Sequence, residues 1–187
     1  MDVSGYWSTL VSIILGLGMA DLLVNLHRLI DHRKHVEWDR LPLLWSLIVL
    51  LWLFNYWWAV ATNLDGSRDA TVVSHFVLLA MPPVMLFLMA ASVLPHASLT
   101  EATFNMRADW ADRRDVFFTF FAVNQFVTWI VATMRHSPSW DISSSLRIVA
   151  FLLILSTLNF KSRRWEWIVA IALLVLVGVR LSTQPVR

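Results

Sequence analysis

The chain is 187 residues long and 58% hydrophobic, with only 15% charged residues, a net charge of +2 and a mean hydropathy of +0.63. Soluble domains average nearer half apolar and a quarter charged, so this composition points to a membrane-embedded chain and away from a nucleic-acid binder. The absence of cysteine excludes disulfides, thiolate metal sites, haem attachment through CxxCH and thiol nucleophiles.

About 20 mostly apolar residues cross a bilayer core. Six segments meet that requirement, at 6–29, 43–62, 71–94, 116–134, 143–159 and 165–181. The expected fold is therefore an all-α polytopic membrane bundle of about six transmembrane helices, a single domain over residues 1–187. These spans use nearly all of the 187 residues, so no separate soluble domain is expected within them.

The first span follows Met1-Asp2-Val3, without a basic leader, and is expected to be retained as a helix. Asp21 is the only charge between Trp7 and Leu26. A carboxylate at membrane depth costs several kcal/mol on an order-of-magnitude scale, so such a group faces a bundle interior or a water-filled path. Asn25 and Arg28 follow Asp21 at i+4 and i+7 and extend one polar stripe. Ser8, Ser12, Gly16 and Ala20 recur every four residues as a small-residue ridge, a pattern that lets a second helix approach closely, within the chain or in a homo-oligomer.

The loop that follows holds His27, His32 and His35 with Asp31 and Glu37. Imidazole and carboxylate together suit divalent metals. His32 and His35 are the candidates, although their spacing matches no zinc signature, and no cofactor is expected. Span two carries Asn55 between Trp52 and Trp58, and Asn55 and Thr62 share a face. Span three carries His75 in its outer half and Pro82-Pro83 at its middle. Each proline removes a helical N–H, so a kink or break is expected and the pair is a candidate hinge.

After span three, Ser98 and Glu101 read as a capping box, and Leu99, Ala102, Met106 and Trp110 follow at helical spacing. The expectation is a short helix between helices three and four, on the inner membrane surface or packed under the bundle. Span four presents Phe117, Phe118, Phe120 and Phe121, then Asn124, Gln125 and Thr128, whose polar groups act as interhelical glue or line a path. Arg147 in span five snorkels or, turned inward, meets an anion or a lipid head group. Glu166 and Arg180, at the two ends of span six, are expected to lie close to water.

Charge orients the bundle. Arg28, Arg33, Lys34, Arg40, Arg107, Arg113, Arg114, Lys161, Arg163 and Arg164 fall on one side, against Arg68, Arg135, Arg180 and Arg187 on the other. The positive-inside bias puts the first set in the cytoplasm and both termini outside. The tryptophans agree with this layout, with Trp7, Trp57, Trp58, Trp129 and Trp140 at the outer interface and Trp38, Trp45, Trp165 and Trp167 at the inner one. Trp52 is the exception, deep in its span.

No GxGxxG, Walker loop, HExxH, GxSxG, selectivity-filter or voltage-sensor pattern is present, and no lysine lies within a span. The leading expectation is a multi-pass protein of a bacterial inner membrane that forms a channel or transporter for a small ion, with a proton or cation favoured by Asp21. The ion path or polar core would comprise Asp21, Asn25, Asn55, His75, Asn124, Gln125 and Thr128. One alternative is a non-catalytic membrane subunit or scaffold that docks partner proteins. A further one is a lipid- or quinone-acting enzyme using His75 or Asp21 as base. Its partners would be the lipid bilayer, a small ion and, through the ridge, a second copy.

Overall fold

The computed structural model describes residues 3–62, 73–95, 103–135 and 142–183, with side chains at 6–61, 77–95, 103–133 and 145–179. Its helices are α1 (Val3–Asp31), α2 (Arg40–Thr62), α3 (Val73–Val93), α4 (Met106–Arg135), α5 (Ile142–Asn159) and α6 (Arg163–Thr183). Three stretches are long and apolar enough to cross a bilayer, Tyr6–Asp31, Arg40–Ala61 and Met106–Thr133, while Val77–Val93 and Ser145–Asn159 are shorter apolar helices. Large apolar side chains such as Ile13, Leu17, Leu152 and Val175 are more than half exposed, a surface that suits lipid better than water.

The α1–α2, α3–α4 and α5–α6 connections all lie at one end of the bundle. Two-residue strands β1 (Val36–Glu37) and β2 (Phe104–Asn105) pair there in parallel, Val36 opposite Phe104 and Glu37 opposite Asn105. The Phe104 N–H donates to the His35 carbonyl at 2.8 Å, and the Asn105 amide donates to the Glu37 carboxylate. This is called the strand end below, and its opposite the far end.

Caps at the strand end explain where the helices start. Asp39 accepts the Leu41 N–H at 3.1 Å and so opens α2. Asn105 accepts the Arg107 and Ala108 N–H groups, both at 3.0 Å, and opens α4. Arg113 donates to the Leu94 carbonyl at 3.1 Å, which satisfies an orphan acceptor just past the end of α3. Arg163 pairs with Asp39 at 2.5 Å and Lys161 with Asp115 at 2.6 Å, so the third connection and the start of α6 are tied to the first connection and to α4.

Packing runs from α1, which leans on α3 and α2, through the central α2–α3–α4 group to α5 and α6. The core of that group is aromatic. Trp45 is fully buried, with ring centroids 5.6, 5.1 and 6.3 Å from Phe117, Phe118 and Phe121. Trp110 adds contacts to Phe117 and Phe118, and Trp52 meets Phe121 at 5.3 Å. Edge-to-face geometry lets the positive ring rim meet the negative face, worth about 0.5–1.5 kcal/mol per pair beyond burial.

Three expectations are corrected here. No separate interfacial helix occupies Met106–Asp115: those residues are the first turns of α4, because Met106 and Trp110 bury their side chains under the bundle. The Ser98–Glu101 capping box lies outside the described residues. Trp45 is core and not an interfacial belt residue, since Phe117, Phe118 and Phe121 enclose it, and Trp7 is also buried. The third concerns α3: of the kink or break expected there, the break does not occur, since the helix is continuous through Pro82 and Pro83. The residues around the pair stay helical although the Leu78 and Leu79 carbonyls lose their helical donors.

Candidate functional site

The polar residues expected to line a path separate into two levels, and the α3 register shows which belongs where. Gly18 of α1 sits against Phe87 and Ala90 of α3, with 3.4 Å from its Cβ position to the Phe87 Cα. Asp21 and Asn25 lie three and seven residues further toward the strand end. Asn25 is buried and donates to Asp21 at 3.1 Å, and Asp21 is half-buried. Asp21 and Asn25 of the expected stripe are thus paired in the strand half, whereas Arg28 is exposed.

The second level is formed by α2 and α4. Asn55 follows Trp52 by three residues, and Asn124 follows Phe121 by three; Trp52 and Phe121 touch. The two helices run in the same direction, so Asn55 and Asn124 stand at about one height, with Gln125 beside Asn124. Counting back along α4 from Arg113, which reaches Leu94, brings Asn124 and Gln125 within about one turn of Pro82 and Pro83 on antiparallel α3. Asn124, Gln125 and Asn55 are 1%, 6% and 8% exposed. Asn124 Oδ1, Gln125 Nε2 and Asn55 Nδ2 have no hydrogen-bond partner. Thr128, one turn above Asn124, is half-buried. The His75 side chain lies outside the described side chains. Asp21 with Asn25, and Asn55 with Asn124 and Gln125, are therefore two separate groups and not one line of contacts.

A third polar group, missed by the sequence reading, sits at the strand end. Glu166 is 4% exposed, not near water as expected. Its Oε1 lies 2.7 Å from Arg114 Nε, close enough for an ion pair though not aligned as a hydrogen bond. Its Oε2 accepts the Trp110 indole N–H at 3.0 Å. Arg114 is itself buried, donates to the Thr157 carbonyl at 2.9 Å and to Asp115 at 3.0 Å, and lies 5.7 Å from the Phe118 ring centroid. The reason is geometric: Arg114 and Glu166 lie in the first turns of α4 and α6, where both helices pass beneath the aromatic core. A lone carboxylate between Trp165 and Trp167 was the available signal.

Asp39 is the other buried strand-end acid. Burial pushes its carboxyl up. The hydrogen bonds from the Arg163 guanidinium and the Leu41 N–H, with the charges of Arg163 and Arg107, outweigh burial and hold it below the ordinary carboxylate value of 3.8.

The remaining candidates fall elsewhere. His32 and His35 are exposed on a turn, His32 Nδ1 lies 3.0 Å from the Arg28 carbonyl, and no metal-binding group of three ligands occurs among the described residues. Ser12, Gly16 and Ala20 are exposed, Ser8 is half-buried, and a Cβ on Gly16 would meet nothing within 4 Å, so no described helix packs on this ridge. The close approach that small residues permit occurs instead at Gly18. Arg147 is half-buried, with its Nε enclosed and unpartnered.

The comparisons with known proteins add no relative: no family model, no curated protein and no solved structure matches the chain.

Proposed function

We propose that the chain is a six-span membrane protein, with both termini on the outer face of a bacterial inner membrane, that moves a small ion across the bilayer. The strand end, which gathers ten basic residues from Arg28 to Arg164, would face the cytoplasm under the positive-inside rule. The observation that carries the reading is the unpartnered group Asn55, Asn124 and Gln125 at the level of the α3 prolines. A buried polar atom left unmet costs about 1–3 kcal/mol. Three of them at one level favour a site that water or an ion completes. The aromatic layer of Trp45, Trp52, Phe117 and Phe121 beneath it would close the path toward the strand end. Movement of α3 at Pro82-Pro83 would open it. Asp21, a carboxylate within the α1 span on the strand side, favours a proton or cation there.

The test is flux from liposomes holding the purified protein, with H⁺, K⁺, Na⁺ and Cl⁻ gradients applied separately, wild type beside Asp21→Asn and Gln125→Leu. Selective flux reduced by Gln125→Leu is expected. Folded and inserted wild-type protein that passes none of these ions refutes the reading. The exposed ridge at Ser12, Gly16 and Ala20 favours a second reading, a non-catalytic subunit that docks a partner helix, which predicts no flux and co-purification of a membrane partner.

A further inference from the structure

We infer that Arg147, Gln125 and Asn55 together hold a small monovalent anion in the far half of the bundle. The inference rests on the ion-moving reading and gives the far-half ion its sign. Its basis is three buried N–H donors, Arg147 Nε, Gln125 Nε2 and Asn55 Nδ2, which have no acceptor. Gln125 and Asn55 are each more than nine-tenths buried.

Helix stripes bring these donors to one place. On α4, Gln125 stands seven residues above Phe118 and four above Phe121, the rings that pack on Trp45 of α2. On α2, Asn55 stands three residues above Trp52, which meets Phe121. On α5, Arg147 shares a stripe with buried Ala150, Ile154 and Thr157. That stripe faces α4, because the Thr157 carbonyl accepts from Arg114. Heights agree as well. Gln125 is eleven residues above Arg114 on α4 and Arg147 is ten above Thr157 on antiparallel α5, so both rise about 15 Å from the shared contact.

Donor chemistry decides the ligand. Arg147 is a cation in the far half, on α5. Its guanidinium stays protonated and offers only donors, and the amide nitrogens of Gln125 and Asn55 do the same. A small anion completes these three nitrogens, and water meets Asn124 Oδ1, the unmet acceptor at the same level. Snorkelling alone leaves the enclosed Nε unexplained. A free oxyanion and the phosphodiester of a lipid head group share the required chemistry, and the experiment separates them.

The experiment measures the thermal midpoint of purified protein in nanodiscs of zwitterionic lipid, with sodium formate exchanged for sodium gluconate at constant ionic strength. Bound ligand raises the midpoint in proportion to its occupancy. Wild type is expected to be protected by formate, Arg147→Gln to lose the protection, and Gln125→Leu to need about tenfold more formate. Arg147→Lys, which keeps the charge without the fork, is expected to fall between. Protection of wild type by anionic lipid, with no further gain from formate and lost in Arg147→Gln, assigns the same site to a head group. Equal protection of wild type and Arg147→Gln, or no protection by either source, overturns the inference. Anion protection without flux in liposomes retains the site and rejects ion movement. Cation flux without anion protection does the reverse.

Discussion

Replacing Arg114 by methionine is expected to destabilise the protein severely, because it strands Glu166. The carboxylate is 4% exposed and would keep only the Trp110 indole N–H as a described partner. The Thr157 carbonyl and the Phe118 ring would lose the guanidinium at the same time. Removing one partner of a buried ion pair costs about 3–5 kcal/mol. With about 2–4 °C lost per kcal/mol for a chain of this size, the thermal midpoint should fall by roughly 6–20 °C. The assay is thermal unfolding in one detergent, followed by tryptophan fluorescence, for Arg114→Met, Glu166→Leu and the double variant. The double variant should lose less than the sum of the single ones, by about 2 kcal/mol or more, since no unpaired charge remains buried in it. A drop below about 2 °C for Arg114→Met, or simple addition of the single losses, refutes the buried-pair reasoning.

Other outcomes follow from single contacts. The Asp39 carboxyl is held below its ordinary 3.8 in the folded protein, so its contribution is present above the unfolded value and is lost as pH falls through the lower folded one. Asp39→Asn should therefore lower the midpoint at neutral pH and flatten its decline below about pH 4, and an unchanged acid slope would exclude Asp39 as a cause. Gly18→Leu should cost about 1–3 kcal/mol, because a side chain there meets the Phe87 backbone, whereas Gly16→Leu opens onto empty space within the monomer. Thermal midpoints of the two variants in dilute detergent check this, and equal losses would place a packed neighbour at Gly16.

Much of the helical layout can be read from local order. Leu15, Leu22 and Leu29 recur as the buried stripe of α1, and Val169, Ala170, Leu173 and Val177 do the same in α6. Periodicity alone identifies such faces. It does not tell a lipid-facing stripe from a protein-facing one when both are apolar, and Trp45 was assigned to the interface for that reason. The ridge at Ser8, Ser12, Gly16 and Ala20 shows the same ambiguity, since small residues mark a possible approach without naming the helix that makes it.

By itself the sequence determined an all-α chain rich in apolar helices, ten basic residues gathered at one end and no thiol chemistry, while the structure supports membrane-crossing length for three of the six spans it suggested. These follow from residue type and from distances along one helix, where 3.6 residues per turn fixes direction. Only the tertiary structure decided which polar groups meet. Trp110 and Glu166 are 56 residues apart, and Asp39 and Arg163 are 124 apart. The pairing of Arg114 with Glu166, the separation of Asp21 from Gln125 and the exposure of Gly16 depend on the relative height and rotation of neighbouring helices. Those quantities are set by how Trp45, Trp52 and the α4 phenylalanines interlock, and no single helix carries them.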